Sequence, residues 1–202
     1  MEVTYKNVLS YYKDEIELND AAHDLNHVIN VYNKMVNIDS MLNLSIDKKM
    51  ITLAAFLHDL KCHIDRKKHC LLSANYVTDC YYSLSCKDSF IKQLTEEEVT
   101  ILADTIIKHR ASGNEIPEEG LAGLLYASDK DAPILEDIVI RSYMYDNNYD
   151  HVLAHMQDKF SSEGYLKYNN YYKEYYGSEV IDKLHNEISN LTTDKIRDIV
   201  TS

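Results

Sequence analysis

The sequence predicts an all-α fold, a single-domain helical bundle, and three observations carry that expectation. Apolar residues recur mainly at spacings of three and four rather than two, the pattern of amphipathic helices. Helix breakers are scarce, with 5 Gly and 2 Pro in 202 residues. No Pro/Gly/Ser-rich linker and no periodic repeat interrupts the chain, so residues 1–202 read as one domain, long enough to bury about 70% of its extended-chain surface.

The elements follow in order. Residues 2–18 carry Tyr5, Val8, Leu9, Tyr12 and Ile16 at helical spacing. Asn19 or Asp20 is the expected N-cap of a second helix over about 21–44, whose apolar stripe is Leu25, Val28, Ile29, Tyr32, Met35 and Val36. His27 borders that stripe, with His23 one turn earlier on the same side. Ser45 or Asp47 opens a third helix, which runs through the apolar stretch ITLAAFL into His58 and Asp59. After the basic segment KCHIDRKKH, a fourth helix is expected from near His69 through LLSANYVTDCYYSL.

Thr95 and Glu98 form a T-x-x-E capping box for a fifth helix, with Val99, Leu102, Ala103, Ile106 and His109 on its inner face. The loop RASGNEIPE, with Gly113 and Pro117 as breakers, leads to a sixth helix that sets Leu121, Leu125 and Asp129 on one face and stops before Pro133. Further helical patterns lie near 134–145, 148–160 and 178–190, separated by the Tyr-rich run GYLKYNNYYKEYYG, whose rings read as core cover. The end of the chain, TTDKIRDIVTS, reads as a short helix or a frayed tail.

Two carboxylates stand where helices ought to carry cations. Asp59 and Asp129 each close an apolar helix, whose C-terminal end has negative partial charge. A buried carboxylate there needs a cation or strong donors. With His27, His58 and His109 also at core edges or helix ends, a divalent ion held by imidazole and carboxylate from several helices answers the need. A structural zinc on Cys62, His63, His69 and Cys70 is a weaker reading, because neither Cys pair has the close spacing such sites use.

At these residues the sequence resembles the HD superfamily of metal-dependent phosphohydrolases, whose pattern is H…HD…D on a helical bundle. HDLNHVINVY, LAAFLHDL and LLYASDKDA stand in the family's order, and the similarity is closest to small stand-alone HD hydrolases. It implies an HD core over about 20–135 and a C-terminal helical extension over about 136–202. It also implies His27, His58, Asp59 and Asp129 as metal ligands, and matches His69 and His109 to the extra histidines of members that bind two ions. The expected cofactor is one divalent ion, or two if His69 and His109 are ligands, with Mn, Fe, Co, Ni, Mg and Zn all suitable.

The chain departs from the family in two places. Lys61 lies two positions after Asp59, where many members have a Lys at three, and Asp65 is the one acidic residue in the segment where the HD nucleoside-monophosphatases carry catalytic acids.

The resemblance implies hydrolysis of a phosphate ester or anhydride of a small molecule, with a nucleotide as the expected substrate. Asp59 would position the attacking water, and Lys61, Arg66 and Lys130 would hold phosphate. The alternatives are an HD-type di-iron oxygenase and a non-catalytic nucleotide-binding module. A net charge of -12 argues against an extended nucleic-acid surface or an anionic membrane as partner. The charged first residues and the lack of a long apolar run predict a soluble, cytoplasmic protein, with Cys62, Cys70, Cys80 and Cys86 as reduced thiols. Oligomeric state is not encoded in any feature of the sequence.

Overall fold

The computed structural model of the chain describes residues 1–110 and 115–202, so Gly113 and the middle of its loop lie outside the described residues. The described residues form eleven α-helices and one short 3-10 turn, with no strand, and the all-α expectation holds. The chain divides into two compact units, Met1–Asp129 and Lys130–Ser202, with no Pro/Gly/Ser-rich linker at the boundary.

The first unit contains α1 (Tyr5–Ile16), α2 (Leu25–Leu42), α3 (Lys48–Leu57), α4 (His69–Tyr82), α5 (Glu96–Lys108) and α6 (Gly120–Ser128). Helix α3 is its axis. Every residue from Met50 to Leu57 is buried, and the helix packs against α1, α2, α5 and α6. A helix that is apolar on all sides is stable only when so surrounded. Each large side chain among these, such as Leu53 or Phe56, stabilises the fold by about 1.5–3 kcal/mol relative to exposure. The chain then leaves α3 into His58 and Asp59, and this burial carries both polar groups inside with it.

Caps decide where the helices begin. Thr95 and Glu98 make the expected capping box at the start of α5. Helix α2 begins at Leu25, the first residue of its stripe and four residues later than the expected start near 21, because Asp24 is the cap and accepts a hydrogen bond from the His27 backbone at 2.9 Å. Asn19 and Asp20, the expected caps, serve other partners. The turn they form holds His23 off the helix.

The second unit contains α7 (Leu135–Tyr145), α8 (Tyr149–Phe160), α9 (Asn170–Tyr176), α10 (Ser178–Ser189) and α11 (Thr193–Thr201). The end of the chain is thus helical, with Thr192 as its cap. Part of the Tyr-rich run is helix α9, capped by Asn169. Tyr168 and Tyr172 are buried and stacked with ring centroids 4.4 Å apart, and the Tyr172 hydroxyl donates to the Asp131 carbonyl at 2.7 Å. These rings serve as core in their own unit.

The cysteines depart from expectation. Cys80 and Cys86 form a disulfide, where all four had read as thiols, while Cys62 and Cys70 are free. The turn after α4 brings the two Cα atoms to 5.2 Å, inside the range a disulfide bridges. No helix among the described residues is long and apolar enough to cross a membrane.

Candidate metal centre

Five helices of the first unit deliver six ligand-type side chains to one place. His58, His109 and Asp129 are the C-terminal caps of α3, α5 and α6. His69 is the first residue of α4, His27 lies in the first turn of α2, and Asp59 follows His58. Three helix C-termini and two carboxylates thus meet two helix N-termini, and the negative charge left in excess favours a cation.

The six fall into two sets that share Asp59. His27, His58, Asp59 and Asp129 offer donor atoms that all lie within 4.8 Å of one another, as do Asp59, His69 and His109. In the first set His27 Nε2 stands 3.3 Å from His58 Nε2, 3.3 Å from Asp129 Oδ1 and 3.5 Å from Asp59 Oδ2. His58 Nε2 is 3.1 Å from the same Asp59 Oδ2 and 3.8 Å from Asp129 Oδ1. In the second set Asp59 turns its other oxygen, Oδ1, to His69 Nε2 at 3.1 Å and His109 Nε2 at 3.4 Å, and the two rings stand 3.2 Å apart, Nε2 to Nε2. Ligands bound at about 2.0–2.2 Å to one ion lie about 3.0–3.5 Å from each other, which is the spacing found.

Tautomers sharpen the point. His58, His69 and His109 each donate Nδ1–H to the carbonyl three residues earlier, Ala55 at 2.8 Å, Arg66 at 2.7 Å and Ile106 at 2.6 Å. In a neutral imidazole this leaves Nε2 as a bare lone pair, and all three lone pairs face Asp59. Asp59 Oδ1 is buried and accepts no well-formed hydrogen bond, despite having two ring nitrogens within 3.4 Å. Lone pairs directed at lone pairs need a proton or a metal ion between them. The His/Asp groups can hold a metal ion, and mixed nitrogen and oxygen donors without thiolate suit Mn, Fe, Co, Ni or Zn.

Protonation shows the same competition. Burial disfavours the His27 cation, but hydrogen bonds and charge from Asp129 and Asp59 outweigh it and push the ring up to about 9. His69 is pulled down by burial and raised on balance by Asp59. Burial prevails at His109, whose pKa is lowered. For Asp59, burial is overcome by His58 and the neighbouring imidazoles, which hold the carboxyl well below its usual range.

A second layer that the sequence did not mark fixes this arrangement. The Asn19 amide donates to the carbonyls of His23 at 3.1 Å and Asp59 at 3.0 Å, while its oxygen accepts from the His63 backbone at 2.8 Å. One side chain thus ties the turn before α2 to the turn after α3. His23 stands at the rim, its ring centroid 6.0 Å from those of both His27 and His69, with Nδ1 against Asp20 Oδ1 at 2.7 Å. Asp20, His23 and Cys62 make a third close group. The His/Cys set considered for a structural zinc is not gathered among the described residues, because His69 belongs to the Asp59 cluster.

The expected phosphate-holding cations are placed differently from the ligands. The Lys61 ammonium pairs with Glu15 and lies 4.2 Å from the centre of the Tyr76 ring, so phosphate would have to compete with that pair. The half-exposed Arg66 guanidinium stands 3.4 Å from Asp20, and its carbonyl is the one that orients His69. Lys130 is buried and directly follows Asp129.

Comparison of the chain with known protein families, with curated proteins and with solved structures returned no match.

Proposed function

We propose that the protein is an HD-type, metal-dependent phosphohydrolase that cleaves a phosphate ester or anhydride of a small molecule, with nucleotides as the first substrate class. The observation that supports this best is Asp59 itself, a buried carboxylate whose two oxygens each face a separate His/Asp set. His27, His58, Asp59 and Asp129 would hold one ion, and Asp59, His69 and His109 a second. When bound, divalent ions supply the charge that makes water acidic near neutral pH and that neutralises phosphoryl oxygens.

The chain's own residues supply position and proton control. Backbone carbonyls fix three imidazoles in the tautomer whose Nε2 faces inward, so no rotation precedes binding. Asn19 holds the Asp59 backbone, and with it the carboxylate that orients an attacking water between the two sets. His23, kept in place by Asp20, is a further polar group at the rim for a substrate oxygen.

The test is to strip the protein of metal, restore Mn, Co, Ni, Mg, Zn or Fe singly, and offer nucleoside mono-, di- and triphosphates and dinucleoside polyphosphates. Turnover with at least one ion is the expected result. Absence of turnover with every ion and every phosphorylated compound would overturn the proposal. Six residues with nitrogen and oxygen donors also suit an iron pair. Oxygen-dependent turnover with iron alone would move the assignment to an oxygenase, whereas hydrolysis under anaerobic conditions excludes that.

A further inference from the structure

The segment between Asp59 and α4 is basic in an otherwise acidic protein, and its consecutive carbonyls hold two different groups. The Arg66 carbonyl accepts from His69 Nδ1 at 2.7 Å, and the next carbonyl, that of Lys67, accepts from Arg110 Nη1 at 2.7 Å. The Arg110 guanidinium is therefore anchored one peptide unit from the carbonyl that orients a ligand of the second set. Arg110 itself directly follows His109, the other imidazole of that set.

Of the other cations nearby, Lys61 is engaged by Glu15, Arg66 by Asp20 and Lys108 by Asp104, while Lys67 and Lys68 are exposed. Among the described residues Arg110 meets a carbonyl and no carboxylate, and that bond uses one of its five N–H donors. A half-buried guanidinium held in this way is preorganised for a bidentate contact with phosphate.

Resting on the phosphohydrolase reading, we infer that Arg110 binds a second phosphoryl group of the substrate, adjacent to the one cleaved, so that the substrate class is a di- or polyphosphate rather than a monoester. A phosphoryl group spanning both sets is centred on Asp59, which is common to the two. The Arg110 anchor, the Lys67 carbonyl, belongs to the segment that leads into His69, and on this assignment the guanidinium takes the next group of the phosphate chain.

The test uses non-hydrolysable probes on the full-length, metal-loaded protein. Methylenediphosphonate and methylphosphonate are titrated calorimetrically into wild type, Arg110→Ala and Arg110→Lys, and metal content is measured on each sample. Wild type should bind the diphosphonate more tightly than the monophosphonate. Arg110→Ala should weaken the diphosphonate about tenfold or more and the monophosphonate little, at unchanged metal content, and Arg110→Lys should fall between. Equal losses for both probes would put Arg110 on the cleaved group, no loss would make it a solvated rim charge, and lower metal content would make it a support for His69. Each of these overturns the inference. Wild-type protein that binds neither probe and hydrolyses no phosphate compound would instead bring down the phosphohydrolase reading beneath it.

Discussion

Individual side chains make competing demands for the same lone pairs, and this gives the sharpest tests. Because Asp59 and Asp129 raise His27 to about 9, that ring carries a proton at neutral pH in metal-free protein, and a metal ion must displace it. The raised pKa adds stability that is fully present below about 6.5, the ring's ordinary value, and is lost as pH rises through about 9. Metal affinity has the opposite slope, weakening as pH falls below 9. Calorimetry at pH 7 in buffers of different ionisation heat should show at least about one proton released on metal binding; a buffer-independent heat would show that His27 is not a ligand. Similarly, His69→Ala and His109→Ala should each lower the metal content from about two per chain towards one, while leaving the His27 set loaded. Loss of activity at unchanged stoichiometry would move both rings out of the coordination sphere. Asn19→Ala removes two hydrogen bonds from part-buried carbonyls and should cost about 1–2 kcal/mol of stability, read from denaturant unfolding, and weaken metal binding with it.

Among the helices, those that were longest and most periodic were legible, and so were the ligand-type residues at their ends. His58, His109 and Asp129 stood out because a polar group closing an apolar helix is anomalous, and each is a C-terminal cap in the structure. What escaped the sequence lies in turns. The start of α2 was misplaced because Asn19, Asp20 and Asp24 are all good caps by type, and only tertiary contacts decide among them. For the same reason the Asn19 tie and the Asp20–His23 pair had no local signature, and the Cys80–Cys86 pairing depends on a turn geometry that spacing alone does not define. Thr95→Ala tests whether capping and site are separable. It should cost about 0.5–2 kcal/mol, by loss of the cap on α5, with metal content unchanged, since His109 lies at the far end of that helix.

At the level of the whole molecule, all six ligand-type residues belong to the first compact unit, Met1–Asp129, and they reach it from five helices. Bound metal would therefore add cross-links between helices that already pack directly on one another, α4 on α5, α2 on α6 and α5 on α6. Ions that bind the native state alone stabilise it by mass action, so the unfolding temperature should rise with metal concentration and fall when a chelator is added. A two-ion centre would depend most on Asp59, which each set shares through a different oxygen. The most direct measurement is metal content per chain, by elemental analysis after loading and desalting, in wild type and in Asp59→Ala. Two ions in wild type and fewer than one in the variant are expected, whereas wild-type metal content in the variant would contradict the shared-carboxylate centre.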